Sequence, residues 1–176
     1  MNIERIEELR ITATQRKEIH QLLDNCFPGY PKGRIYYKQL PSFRYLAYED
    51  EKLIGHLAIE HRMIAIDQKP YVIFGVTDVC VATEFRQKAI AATLLGKLED
   101  LGRAHQIDFI LLTATEHDLY LKNGYQLYSN TCCWLFINDH QTLGVKNQHL
   151  TEALLVKPLG TQKWSDGMVD FLGTVF

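Results

Sequence analysis

"VTDVCVATEFRQKAIAATLL", residues 76–95, changes character in the middle. Val76–Ala82 reads as a strand, and from Arg86 to His105 the apolar residues Ile90, Leu94, Leu95, Leu98 and Leu101 recur as a helical stripe that predicts a helix following the strand directly. Between them stand Arg86, Gln87 and Lys88, then the small residues Ala89, Ala91 and Ala92 around Ile90. A strand that feeds a helix presents the helix's unpaired N–H groups, where anions bind. Small first-turn residues let a phosphate reach the backbone, and Arg86 and Lys88 add positive charge. "RQKAIAA" (86–92) therefore reads as a pyrophosphate cradle. Helix propensity alone also favours an alanine-rich start, and that plainer reading stands beside it.

The rest of the chain extends this change of period. "ITATQRKEIHQLLDNCF" (11–27) predicts a first helix with Thr12 and Gln15 as a capping box. "PGYPKG" (28–33) breaks it. Residues 44 to about 82 hold three apolar runs separated by "EDEK" and "DQKP", which predicts an antiparallel meander. "DFILLTA" (108–114) reads as a strand buried on both faces. "EHDLYLKNGY" (116–125) reads as a short helix with Asn123-Gly124 as its left-handed cap, a hairpin turn being the alternative. "YQLYSNTCCWLFIN" (125–138) and "LTEALLVKPL" (150–159) read as strands, with "DHQTLGVKNQH" (139–149) as a polar loop. The order predicts an α/β fold in one domain over residues 1–176, its sheet antiparallel first and partly parallel later.

Composition narrows the partners. A formal charge of -2 favours neither nucleic acid nor an acidic membrane surface, and 47% hydrophobic residues supply a core for one domain. No apolar run reaches the roughly 20 residues a membrane helix needs, and the charged N-terminus lacks a signal-peptide pattern, so a cytoplasmic setting is expected. Cys26, Cys80, Cys132 and Cys133 lack CxxC spacing and read as reduced thiols. No metal spacing is present among the histidines, and no metal is expected.

Taken in order, the strand, Arg86-Gln87-Lys88-Ala89-Ile90-Ala91, a further strand, and Tyr120-Leu-Lys-Asn-Gly124-Tyr125 resemble the GNAT superfamily of CoA-dependent N-acyltransferases. The family patterns are Arg/Gln-x-x-Gly-x-Gly/Ala and Tyr-x-x-x-Gly-Phe/Tyr, and the resemblance covers about residues 40–137. Ala89 stands where the family usually has glycine, and Thr113 where many members carry asparagine. The resemblance implies a mixed, mostly antiparallel sheet flanked by helices, with its central strands splayed. It further implies transfer of an acetyl group from acetyl-CoA to a primary amine of a small molecule or peptide. A longer acyl chain and a non-catalytic CoA-binding module are the alternatives, and a homodimer is left open.

Site residues carry over on the matching positions. The resemblance assigns the pantetheine arm to the backbone of Val79 and Val81, with Val79 N–H as the oxyanion donor. Arg86, Gln87, Lys88, Ala89, Ile90, Ala91 and Ala92 would bind the pyrophosphate. Tyr120 matches the tyrosine that protonates the departing thiolate. Asp78, a carboxylate in an apolar run, is the candidate base, with Glu60, Glu116, His117 and a water-mediated route as competitors. The tail, "WSDGMVDFLGTVF" (164–176), resembles that of aminoglycoside 2'-N-acetyltransferases and nodulation N-acyltransferases at Trp164, Gly167 and Val169. Seven large apolar residues predict that it docks, either as a cover or with Asp166 and Asp170 holding a cationic amine.

Overall fold

The computed structural model describes all 176 residues and divides into two compact units, Met1–Glu60 with Val76–Lys97, and His61–Gly75 with Leu98–Phe176. No linker separates them, because two strands and one helix belong to both.

In the first unit the order is β1 (Asn2–Glu7), a 3-10 turn (Glu8–Arg10), α1 (Ala13–Cys26), β2 (Phe43–Glu49), the start of β3 (Lys52–Ile66), the end of β4 (Lys69–Val81) and the start of α2 (Ile90–Ala104). β1 runs antiparallel to β2 from Asn2↔Tyr48 to Glu7↔Phe43, and β2 to β3 from Phe43↔Ile59 to Glu49↔Lys52. The β2–β3 link is a two-residue turn with both residues left-handed, Asp50 at φ 47 and Glu51 at φ 63, the twist that suits a hairpin. α1 opens on the expected capping box, with Thr12 and Gln15 bonded reciprocally. Its Ile19, Leu22 and Leu23 pack with Tyr30, Ile35, Leu46, Leu53 and Cys80 as one core cluster. The start of α2 lies close on β3 at Gly55, where a Cβ would come within 2.9 Å of Ile90 Cγ2.

The second unit adds β5 (Phe109–Thr113), α3 (Asp118–Lys122), β6 (Gln126–Asn138), β7 (Gln141–Pro158) and β8 (Val169–Asp170). β4 meets β5 in a parallel ladder of three pairs, from Ile73↔Phe109 to Gly75↔Leu111. β7 lies antiparallel to both β5 and β6, and β8 runs parallel to β6 and antiparallel to the end of β3. The sheet is thus mixed and mostly antiparallel, with helices flanking it, as expected.

The tail docks. Trp164, Val169 and Phe171 are buried with Ile64, Phe109, Leu111 and Cys132 in one core cluster. Asn130, itself buried, accepts from Trp164 Nε1 (2.9 Å) and donates to the carbonyls of Ser165 (2.9 Å) and Gly167 (2.8 Å). Phe176 fills the space over Gly75, where a Cβ would lie 1.8 Å from its ring.

One strand carried no sequence signal, and two sequence expectations are corrected. Asn2–Glu7 is a strand that the sequence did not signal, since only Ile6 of its six residues is buried. Residues 141–149 are strand rather than loop; all are exposed, and backbone pairing to β6 holds them without an apolar face. The strand after Val76 does not lead directly into the helix: a 3-10 turn (Thr83–Phe85) and a loop intervene, and α2 begins at Ile90. The tail's packing gives a stability test. Phe171→Ala should lower the unfolding free energy by about 3–5 kcal/mol in urea denaturation, as expected for deleting a buried aromatic ring.

Candidate active site

β4 contains a residue that a regular strand does not tolerate. Asp78 has φ 54, in the left-handed region, with side chain and strand neighbours on both sides. Such a conformation costs about 1–3 kcal/mol in a residue other than glycine and persists only where its surroundings over-determine it. Two bonds hold it. Tyr30 donates its hydroxyl to Asp78 Oδ2 at 2.8 Å, and His56 Nδ1 lies 2.8 Å from the Asp78 carbonyl oxygen.

His56 is held from its other side. Arg44 Nη1 sits 2.9 Å from His56 Nε2, and a guanidinium only donates, so Nε2 accepts and Nδ1 carries the proton given to Asp78. Arg44 also grips Glu8 with two bonds, Nε to Oε2 at 2.7 Å and Nη2 to Oε1 at 3.2 Å. Arg44 and His56 are both 0% exposed. Burial, then the Arg44 charge, pushes His56 down to about 3, so it is neutral. Burial raises Asp78 above the ordinary carboxylate range, against the Tyr30 hydrogen bond and the Arg44 charge. Tyr30 is raised as well, by burial and then by the Asp78 charge, and remains a donor.

Beyond Val81 the chain turns. Ala82 N–H donates to Ile54 O, and Arg86 Nε donates to Val81 O at 3.3 Å. Arg86, Gln87, Lys88 and Ala89 are exposed, and Gln87 (φ 64) and Ala89 (φ 56) are left-handed. This corrects the expectation of a helical Ala89: glycine suits the position because its φ is positive, and alanine there is strained by about 1–2 kcal/mol. Ile90 is buried, so of the cradle residues it offers only its backbone, while Ala91 and Ala92 are half-buried. The first-turn amides of α2 have no intrahelical acceptor, and the exposed Arg86 and Lys88 put positive charge at the same turn.

Two further features here carry no local sequence signal. The Cys26 thiol lies 3.5 Å from Val81 O, and the interaction of the Cys26 and Cys80 thiols lowers Cys26 to about 6 and raises Cys80. All four cysteines are free. A cavity of about 510 Å³ opens on the α1 side of the same turn, lined by Glu18, Asn25, Lys52 and Glu84 among others. It contains neither Asp78, Val79 nor Arg86–Ala92.

The second unit carries Tyr120, on α3. Its ring meets Tyr125 edge-on, with centroids 5.7 Å apart, and its hydroxyl bonds to no protein group. Burial pushes the phenol up to about 12, so it keeps its proton at neutral pH. Asn123 ends α3 and Gly124 follows at φ 82, which decides for the helix cap over the hairpin. His117 Nε2 is spent on the carbonyls of Ala114 and Glu152. In the tail Asp166 is exposed, and Asp170 Oδ1 accepts from Leu172 N–H at 2.8 Å.

Comparison with known proteins follows the same line. The family described as "Acetyltransferase (GNAT) domain" matches residues 9–128, more than half of the chain. Among solved structures, the chain is similar to the GNAT family N-acetyltransferase YhbS from Escherichia coli in complex with CoA. That match has a TM-score of 0.65 and 15% identity, covering 96% of this chain and 88% of that one. An aminoglycoside 6'-N-acetyltransferase complexed with coenzyme A aligns with a TM-score of 0.64 at 14% identity, over 93% and 99% of the two chains. Escherichia coli ElaA aligns with a TM-score of 0.62 at 14% identity, over 89% and 98%. At these identities the structures establish a shared fold.

Two measurements test the local geometry. Ala89→Gly should raise the unfolding free energy by about 1 kcal/mol, because it removes the left-handed penalty, and an unchanged melting temperature would contradict it. His56 lies below its ordinary value of 6.5 when folded, so the unfolded chain binds the extra proton as pH falls from about 6.5 towards 3. Its contribution to stability is full above that window and is lost through it. The stability advantage of wild type over the non-titrating His56→Gln should therefore shrink across those pH values in denaturant titrations.

Proposed function

This chain belongs to the GNAT acetyltransferase family, and we propose that it moves the acetyl group of acetyl-CoA to a primary amine of a small molecule or peptide. The observation that carries the proposal is the left-handed Asp78 in β4, three residues ahead of the turn into α2. Where the Asp78 carbonyl is turned into the protein, the trans peptide sends Val79 N–H the opposite way. That amide is the donor for the negative charge developing on the thioester oxygen. The backbone of Val79 and Val81 holds the pantetheine arm, and the Val81 carbonyl already accepts from Arg86 and Cys26. Arg86, Gln87, Lys88 and the amides of Ala89–Ala92 take the pyrophosphate.

The remaining roles concern protons. The amine nitrogen attacks the carbonyl carbon, the carbon–sulfur bond breaks, and one proton leaves nitrogen while one reaches sulfur. Tyr120 is assigned the second transfer by its motif and its unpaired, protonated phenol. Asp78 is assigned the first: burial raises it above the ordinary carboxylate range, which makes it a stronger base than a free carboxylate. Asp166 is the tail carboxylate suited to a cationic acceptor, since Asp170 caps its own turn. A cytoplasmic setting belongs to the same proposal, supported by four free thiols; no helix is long and apolar enough to cross a membrane. So does a homodimer, for which the exposed residues 141–149 of β7 offer an edge paired on one side only.

A free-thiol release assay with acetyl-CoA across amines, amino acids, peptides and aminoglycosides tests the reading, and no turnover with any acceptor would overturn it. With an acceptor in hand, Tyr120→Phe should lower kcat about a hundredfold with the KM for acetyl-CoA nearly unchanged. Asp78→Asn should remove the acid limb of the kcat/KM profile, a limb that in wild type lies above the ordinary carboxylate range. Asp166→Asn should raise the KM for the amine alone.

A further inference from the structure

We propose that His56 is a positioning residue for acyl transfer: through its bond to the Asp78 carbonyl it turns the Asp78–Val79 peptide and so aims the Val79 amide. The inference rests on the reading of that amide as the oxyanion donor. Its basis is a run of hydrogen bonds in which no member can reverse its role. The Glu8 carboxylate accepts twice from Arg44, and Arg44 donates to His56 Nε2. His56 Nδ1 then has to donate, and its acceptor is the Asp78 carbonyl oxygen at 2.8 Å. A carbonyl in β4 is thereby held by a side chain of β3 at the one residue of the strand with positive φ.

His56 is not the acid or base itself. It is completely buried beside a guanidinium, so neither nitrogen is open to solvent or substrate. Arg44 cannot replace it as the direct partner of Asp78, because its three nitrogens are committed to Glu8 and His56. The left-handed backbone at Asp78 also needs a partner on the carbonyl side, since the Tyr30 bond fixes only the carboxylate. A trans peptide carries its N–H and C=O in opposite directions, so fixing one fixes the other.

Two substitutions separate aiming from mere packing. The Nδ2 of Asn takes the place of histidine Nδ1, so His56→Asn keeps the donor to Asp78 and loses the acceptor for Arg44. The Oε1 of Gln takes the place of Nε2, so His56→Gln keeps Arg44 satisfied and loses the donor to Asp78. Positioning predicts that His56→Gln is the slower enzyme, with kcat down about tenfold to a hundredfold and the KM for acetyl-CoA little changed. His56→Asn should be the less stable of the two yet retain most of kcat. Equal kcat in His56→Gln and wild type, or losses in both variants that follow melting temperature alone, would overturn the proposal. An amide NMR titration with a ketone analogue of acetyl-CoA separates this inference from the reading beneath it. A Val79 shift in wild type that is lost in His56→Gln supports both. The same shift in both proteins overturns the role of His56 alone, and no shift in wild type overturns the oxyanion reading and this inference with it.

Discussion

A guanidinium with no exposure has to be matched on every side, and Arg44 sets the terms for the first unit. Arginine keeps its charge at any ordinary pH, so burial leaves it two needs: a carboxylate, and acceptors for its remaining N–H groups. Glu8 meets the first and His56 part of the second. Removing one partner from a buried pair of this kind typically costs about 3–5 kcal/mol, more than a surface ion pair contributes. This accounts for β1. Its own packing is slight, with one buried residue in six, but the strand delivers Glu8 to the base of Arg44.

The same demand reaches β4. Because Arg44 donates to Nε2, His56 is left with a single proton on Nδ1 and one direction in which to use it. A charged His56 would face a like charge at 2.9 Å in a dry environment, and its depressed protonation is the consequence. The neutral ring transmits the constraint from Glu8 on a 3-10 turn to a peptide in β4, across three strands, without carrying charge to it. Strain at Asp78 is thus offset by the network that satisfies the buried Arg44. The left-handed Ala89 has no comparable network, since it is exposed and its carbonyl serves the backbone and hydroxyl of Thr93. Strain there is carried by the turn itself, which is where a family glycine would relieve it.

What the sequence disclosed and what it hid divide by distance along the chain. Thr12 with Gln15, the hairpin turns at Asp50-Glu51 and Asp67-Gln68, and the Asn123-Gly124 cap are events within four residues, and each was legible. The docking of the tail was legible too, because Trp164, Val169 and Phe171 have nowhere else to lose their exposure to water. Residues 141–149 were not: an exposed strand held by its partner's backbone has no alternation to read. Neither was the conformation of Ala89, since alanine in a sequence announces helix. Tyr30, Arg44 and His56 lie 48, 34 and 22 positions from Asp78, and nothing in their local context marks them. Asp78 itself stood out because a carboxylate in an apolar strand requires a partner, but the partners were not deducible.

The two tyrosines of the Tyr-x-x-x-Gly-Tyr segment show how far such a motif can be trusted for chemistry. Their rings touch, both are pushed up by burial, and by sequence each is as good an acid as the other. The Tyr125 hydroxyl, however, is buried with no hydrogen-bond partner, while its ring lies 3% exposed beneath the Lys157 ammonium. A phenol sealed away from solvent has no route for its proton and contributes only a desolvation cost of about 1–3 kcal/mol. In this chain the ring of Tyr125 packs and its oxygen has no partner, which fits a pattern that takes phenylalanine or tyrosine there. Tyr120 is only partly buried, and its oxygen is also without a protein partner, but it remains reachable. The same chemical group, five positions ahead of its copy and less enclosed, is therefore the one whose proton stays accessible.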